Sequence, residues 1–323
     1  MKGEVFSLLG RPVTVYALCL GAALTLGLIL FFRQCKKTKV NLDAAWRAAL
    51  LALPLALIGA RIFYCAARLR LYAEIGFLNV LTMWNGGYAL WGAVGGAALA
   101  AVLSARGGKA KASALLDAMA PAGALIIAVM RFAEYSIGEG IGPLVEDERF
   151  WRFPFAVMDE WEDWYWAVFV LEGVAALVIL AVLLRRRRPA GDTARLFLVL
   201  YSACQILLES LRRDSVLRWL FVRVSQLTAA LVLAGLMIFA VIRWKRAGHN
   251  PWMTTRYVIL SFAAVVLAVG VIVAMEFAVD GKILVGLSHW GAYGIEGLCA
   301  AVMGLIAGRM ALKTGKKRID KRA

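Results

Sequence analysis

Histidine is almost absent from this chain: only His249 and His289 occur in 323 residues, so histidine-based acid–base chemistry has just two possible locations. The five cysteines (Cys19, Cys35, Cys65, Cys204, Cys299) form no C-x-x-C pair and no metal-ligand spacing. Four lie in apolar stretches, where a free thiol behaves as a small hydrophobe, so they read as structural. No cofactor or metal is expected. Internal repeat symmetry is also missing, as are paired interrupted apolar segments near the midplane. Both are usual marks of a secondary transporter, which leaves an outward-facing anion transporter as a remote alternative.

What the chain has in abundance is apolar residues, at 62% against about half in a soluble domain. The net charge of +16 invites a nucleic-acid reading, but the basic residues cluster in short loops between apolar runs. That is how membrane proteins set their orientation, so no nucleic-acid partner is expected. The first run, from about residue 13 to 32, is too long for a signal-peptide core and is followed by Arg33, Lys36, Lys37 and Lys39, as in a retained helix.

With about 20 apolar residues needed per crossing, nine spans are expected near 13–32, 44–67, 84–104, 114–137, 164–184, 195–211, 222–243, 256–278 and 289–311. The fold class is therefore an all-α polytopic membrane helix bundle. The third span is crowded with Gly86, Gly87, Gly92, Gly95 and Gly96, which suit close helix packing. The loops after the first, third, fifth and seventh spans, with the C-terminal tail, hold about twice as many Lys and Arg as the other side. The positive-inside rule then puts the N-terminus outside and the C-terminus in the cytoplasm.

In this topology Arg61, Arg131, Glu134, Glu172 and Glu209 interrupt apolar spans on the outer side. A charge at the bilayer centre costs roughly 2.5–3.5 kcal/mol on insertion scales, so the five need partners or a purpose. Ion pairs that merely fix the bundle are one reading, and Arg212 and Arg213 at a helix end are suited to snorkelling. Their gathering on one side favours a polar site instead. Glu139 follows in the Gly-flanked segment Gly138–Gly142, and Trp151, Trp161, Trp164, Tyr165 and Trp166 form an interfacial aromatic belt. Arginines beside carboxylates suit a lipid phosphate, because the guanidinium fork matches phosphate oxygens and stays charged.

These residues resemble the prolipoprotein diacylglyceryl transferase family, in ordered pieces over roughly residues 10–245. Arg11-Pro-Val-Thr-Val-Tyr16 resembles the family's first-helix entry with its functional tyrosine, and Gly59-Ala-Arg61-Ile-Phe-Tyr64 its G-x-R-x-x-Y segment. Trp84-Asn-Gly-Gly87 resembles the opening of its third helix. Asp117-Ala-Met-Ala-Pro121, followed by Arg131-Phe-Ala-Glu134 and Gly138-Glu139-Gly-Ile-Gly142, resembles the signature R-x-x-N-x-x-x-G-E-x-x-G. Phe153–Ala156, Leu171-Glu172-Gly173, Gln205…Glu209…Arg212 and Ser225-Gln226 continue in order.

The resemblance implies transfer of the diacylglyceryl group of phosphatidylglycerol to the lipobox cysteine thiol of a prelipoprotein signal peptide, at the outer leaflet of the bacterial cytoplasmic membrane. Glycerol phosphate leaves. It also implies that Arg131 holds the lipid phosphate and stabilises the leaving charge. Glu139 and Gly142 shape the headgroup site, with Gly138 beside them, and Glu209 and Arg212 form a second polar wall. Tyr16, Arg61, Glu172 and Gln205 complete the substrate-binding set.

The chain departs from the pattern at four places. Trp91 stands where the family carries a histidine, Glu134 replaces an asparagine, Gln205 replaces an arginine, and an H-P-S-Q-type segment is missing near Glu162–Trp166. Two outcomes are open: Glu134 or Glu139 acts as the base, or the chain is a non-catalytic paralogue that binds phospholipid or lipoprotein. Residues 1–246 form the transferase-like seven-helix core and 247–323 an additional two-helix segment with a basic tail. For Glu276, His289 and Glu296 in that segment packing is the default role, with partner docking or a lateral gate as alternatives.

Overall fold

The computed structural model describes residues 4–8, 11–107, 110–185, 188–213, 217–219, 222–247, 253–279, 281, 283–284 and 286–313. His249 and the basic tail from 314 onward lie outside the described residues. Among the described residues nine helices are long and apolar enough to cross a bilayer. Together they make an all-α, multi-pass membrane bundle. In chain order the helices are α1 (Val15–Thr38), α2 (Leu42–Ala67), the short α3 (Leu69–Ile75), α4 (Leu90–Gly107), α5 (Ala112–Ala133), α6 (Val168–Arg185), α7 (Asp192–Leu211), α8 (Val224–Ala247), α9 (Thr255–Val279) and α10 (His289–Lys313).

Among the described residues three antiparallel ribbons lie at the end where α2, α5 and α7 finish, one before α1 and two in connections between helices. They pair β1 (Glu4–Leu8) with β2 (Arg11–Thr14), β3 (Ala156–Met158) with β4 (Trp164–Trp166), and β5 (Arg218–Trp219) with β6 (Val222–Arg223). The spans fall close to their sequence positions, with three instructive shifts. α1 runs on to Thr38, because Lys36 and Lys37 in its last turn complement the exposed carbonyl end. α4 starts at Leu90, since Gly86 and Gly87 adopt positive φ in the turn before it. α6 starts at Val168, because Trp164–Trp166 pairs as a strand and Gly142 N donates to Trp166 O at 2.7 Å.

Close packing of α2 on α4 explains part of the glycine-rich third span. A Cβ on Gly92 would collide with the Gly59 carbonyl, and one on Gly96 with the Leu55 carbonyl, so only glycine lets these backbones touch. Gly95 meets nothing and is not part of that contact. α7 carries the most buried polar residues, with Gln205, Glu209 and Ser210 near its end and Asp192 and Arg195 at its start. α9 and α10 share one continuous apolar cluster with α5–α8, through Val265, Ala268, Ile272, Ala300, Met303 and Ala307. The outward faces carry Leu50, Leu53, Ile259, Val266 and Leu267, all more than half exposed, as a lipid-facing surface does.

Candidate functional site

The last turn of α5 sets up the centre of the site. Arg131 lies in that turn, Glu134 caps the helix, and a 3-10 turn over Glu134–Ile137 follows. A cation at a helix C-terminus is favoured by the carbonyl end, which helps hold Arg131 there. Its Nη1 meets Glu134 Oε1 at 2.6 Å and Glu172 Oε2, from the first turns of α6, at 3.3 Å. Arg212, just past α7, closes the figure: its Nη1 lies 3.1 Å from both Glu134 Oε2 and Glu172 Oε2. The result is a four-membered ring of alternating charge joining the ends of three helices. Both arginines are compensated, so the insertion cost of the charges falls within the ring.

Chain direction after the ring depends on glycine. Gly138 and Gly140 adopt φ of 70° and 75°, which turn the backbone under α6. A Cβ on Gly140 would lie 2.7 Å from Glu134 Oε2 and 2.6 Å from Phe169 Cβ, so the loop reaches the ring only with glycine there. Glu139 emerges between these two residues, exposed, and its N donates to Glu134 O at 3.1 Å.

Beside the ring lies a cavity of about 650 Å³, within the range of small-ligand sites. It brings together Tyr16, Arg131, Glu134, Glu139, Glu209 and Arg212, contributed by α1, α5, α7 and the loop after α5. Tyr16 is oriented from the helix start, where Ala17 N donates to Thr14 Oγ1 at 3.2 Å. Glu209 accepts from Gln205 Nε2 at 2.5 Å, so Gln205 supports the wall from behind without lining the cavity. Glu172 is likewise behind the wall, with one oxygen in the ring and Oε1 buried without a hydrogen-bond partner among the described residues.

Three further expected substrate-binding residues stand off the cavity wall. Arg61 is buried on α2, but it donates to the carbonyls of Val80 (3.0 Å), Asn79 (2.8 Å), Gly87 (3.3 Å) and Gly86. It clamps the loop before α4 and lies outside the cavity wall. Gly142 is buried against β4, where a Cβ would meet Val168 and Trp166. It fixes the loop's course and is also off the wall. Gly138 is exposed and contributes the turn that presents Glu139.

Sequence reasoning missed several wall residues. Tyr64 and Arg68 line the cavity, with the Arg68 guanidinium 5.3 Å from the Tyr64 ring. Tyr64 sits within the G-x-R-x-x-Y segment, and Arg68 follows at helical spacing i, i+4, a signal that was there to be read. Trp91, where the resemblance leads one to expect a histidine, lines the cavity and packs edge-on against Tyr201 at 5.7 Å. His289 opens α10 and is exposed. Among the described residues, no group of three His, Cys, Asp or Glu side chains is placed to hold a metal ion.

The fold and the cavity define a multi-pass membrane protein with a mixed Arg/Glu site at one end of its bundle. A family model described as prolipoprotein diacylglyceryl transferase matches residues 4–243, and the chain belongs to that family. A relative from Streptococcus suis (strain 05ZYH33), a phosphatidylglycerol–prolipoprotein diacylglyceryl transferase, is 29% identical over 239 residues, covering 71% of this chain and 88% of its own. A protein of the same name from Streptococcus pyogenes serotype M5 (strain Manfredo) is 26% identical over 241 residues, covering 72% and 92%. The family match ends before α9 and α10 begin.

Proposed function

We propose that this protein transfers the diacylglyceryl group of phosphatidylglycerol to the lipobox cysteine of a prelipoprotein, at the outer leaflet of a bacterial cytoplasmic membrane. The observation that carries the reading is the pair Arg131 and Arg212 at the wall of the cavity, in a chain of this family. The distribution of Lys and Arg supports an outward-facing cavity, an N-terminus outside and a C-terminus in the cytoplasm. Residues 1–246 serve as the transferase core in this reading, and 247–323 as an addition to it.

In the proposed reaction the peptide thiolate attacks the glyceryl carbon that bears the phosphate ester. A carbon–sulfur bond forms, the carbon–oxygen bond breaks, and glycerol phosphate departs with the electron pair. Arg131 holds the phosphate through donors other than Nη1 and stabilises the charge that gathers on the leaving oxygen. Arg212 supports it from the α7 side, while Tyr16 and Glu209 orient the headgroup. A thiol with an ordinary pKa of about 8.5 needs a proton acceptor. Glu139, which lines the cavity from the loop after α5, serves as that acceptor in this reading.

A second reading, lipid binding without transfer, draws on the compensated arginines and on Trp91 in place of histidine. One experiment separates the two. The purified protein is incubated with labelled phosphatidylglycerol and a lipobox peptide, and the thioether-linked product is followed by mass spectrometry. Product formation supports transfer. Lipid retention without product, where the S. suis relative turns over, supports the binding reading.

A further inference from the structure

The end of α7 is held by a chain of contacts that reaches beyond the family match. Arg223, on β6, is 4% exposed and donates through Nη1 to the carbonyls of Arg212 (2.9 Å) and Glu209. The last carbonyls of a helix have no partner within it, so Arg223 caps α7 where Glu209 and Arg212 enter the cavity wall. Arg223 pairs with a carboxylate of α9, Glu276, whose Oε2 lies 3.6 Å from its Nε, and a second buried acid, Glu296 of α10, is near enough to act on it electrostatically. The other oxygen of Glu276 accepts from Ser210 Oγ at 2.7 Å and from Gln226 Nε2 at 2.9 Å. Gln226 also donates to Ser210 Oγ at 2.5 Å and to Ile206 O at 2.9 Å. One carboxylate thus ties α9 to α7, to α8 and to the arginine that caps α7.

We propose that Glu276, contributed by a helix beyond the family match, is a positioning residue for the cavity, acting through Arg223 on the Glu209–Arg212 turn. A buried guanidinium that loses its counter-charge is costly to keep in place, and it would turn toward water at the interface. Its two carbonyl contacts would go with it. Arg212 would then no longer hold Nη1 3.1 Å from Glu134 and Glu172. A shift of about 1 Å in a positioning element can cost a hundredfold in rate, so partial loosening is expected to cost about tenfold. The segment after the core therefore does more than pack: it fixes the geometry of a turn that the core alone leaves without a neutralised cap.

The kinetic part of this inference rests on the transferase reading, and its test keeps the two apart. Full-length wild type, Glu276→Gln, Glu276→Asp, Arg223→Gln and the Glu276→Gln/Arg223→Gln double variant are reconstituted in phosphatidylglycerol bilayers, with the lipid-facing Val266→Ala as a control. Glu276→Gln is expected to lose about tenfold in kcat, with a smaller change in KM and a thermal midpoint close to wild type. Glu276→Asp, which restores the charge, should recover most of the rate. The double variant should be no slower than Arg223→Gln alone, because both changes break one chain of contacts. Wild-type kcat in Glu276→Gln, additive losses in the double variant, or equal loss of rate and midpoint in the Gln and Asp variants would each overturn the proposal. If wild type itself forms no product, the transferase reading fails. Affinity for phosphatidylglycerol in detergent then decides: a fall of several-fold in Glu276→Gln sustains the positioning role, and an unchanged affinity overturns it.

Discussion

Arg61 and Arg131 are both guanidinium groups enclosed in apolar helices at the same end of the bundle, yet their partners differ. Arg61 directs its donors to four backbone carbonyls of the loop before α4. Arg131 meets two carboxylates beside an open cavity. The first arrangement completes a connection built of short 3-10 turns, which satisfies carbonyls that lipid cannot. The second leaves charged side chains facing a volume large enough for a headgroup. A charge within a membrane span marks a site only when its partners leave it facing space.

The opposite end of the bundle offers a second comparison. Asp117 on α5 is half-buried and borders a smaller cavity of about 380 Å³, but its oxygens accept from Gly191 N at 2.5 Å and Ala194 N at 2.8 Å, capping the start of α7. Asp192 pairs with Arg195, which also donates to Ala311 O at 2.7 Å. These charges join helix ends to one another.

The largest effect that would sharpen this contrast is at Arg131. Arg131→Ala should lower the transfer rate by about a hundredfold or more, as removal of an oxyanion-stabilising donor does. Arg131→Lys should recover only part of it, since a point charge cannot reproduce the planar fork. Next comes Glu172→Gln, which removes a carboxylate shared by both arginines and should destabilise the fold by about 3–5 kcal/mol, read as a lowered unfolding midpoint. Glu134→Asn, which takes one carboxylate from the ring, should lower KM for phosphatidylglycerol several-fold by freeing arginine charge for phosphate. An unchanged KM there would break the link between ring and lipid. The smallest effect is at Asp117→Asn, which weakens a helix cap and should cost about 1 kcal/mol of stability with the rate per folded molecule unchanged.

Much of this was legible in the chain. The nine apolar runs correspond to the nine helices that, among the described residues, are long and apolar enough to cross, since bilayer thickness imposes length and polarity on each crossing. The convergence of Arg131, Glu134, Glu139, Glu209 and Arg212 followed from their places at alternate helix ends plus a motif. What the chain could not reveal is how each charge is used. Nothing in the spacing around Arg61 distinguishes a carbonyl clamp from a phosphate ligand, because its partners lie 18 to 26 residues away in a connection of short 3-10 turns. Arg223 was hidden for the same reason, as a short ribbon folds it back onto the helix before it. Glu276 finds its partners 50 or more residues earlier in the chain, a distance no local pattern records.

The most direct measurement compares Arg131→Ala and Arg61→Ala in the same vesicles, as thioether product per folded molecule, with folding taken from the unfolding midpoint. The account predicts a loss of about a hundredfold for Arg131→Ala, and for Arg61→Ala a lowered midpoint with a rate within a few-fold of wild type. Near-normal transfer by folded Arg131→Ala, or a comparable rate loss in folded Arg61→Ala, would contradict it.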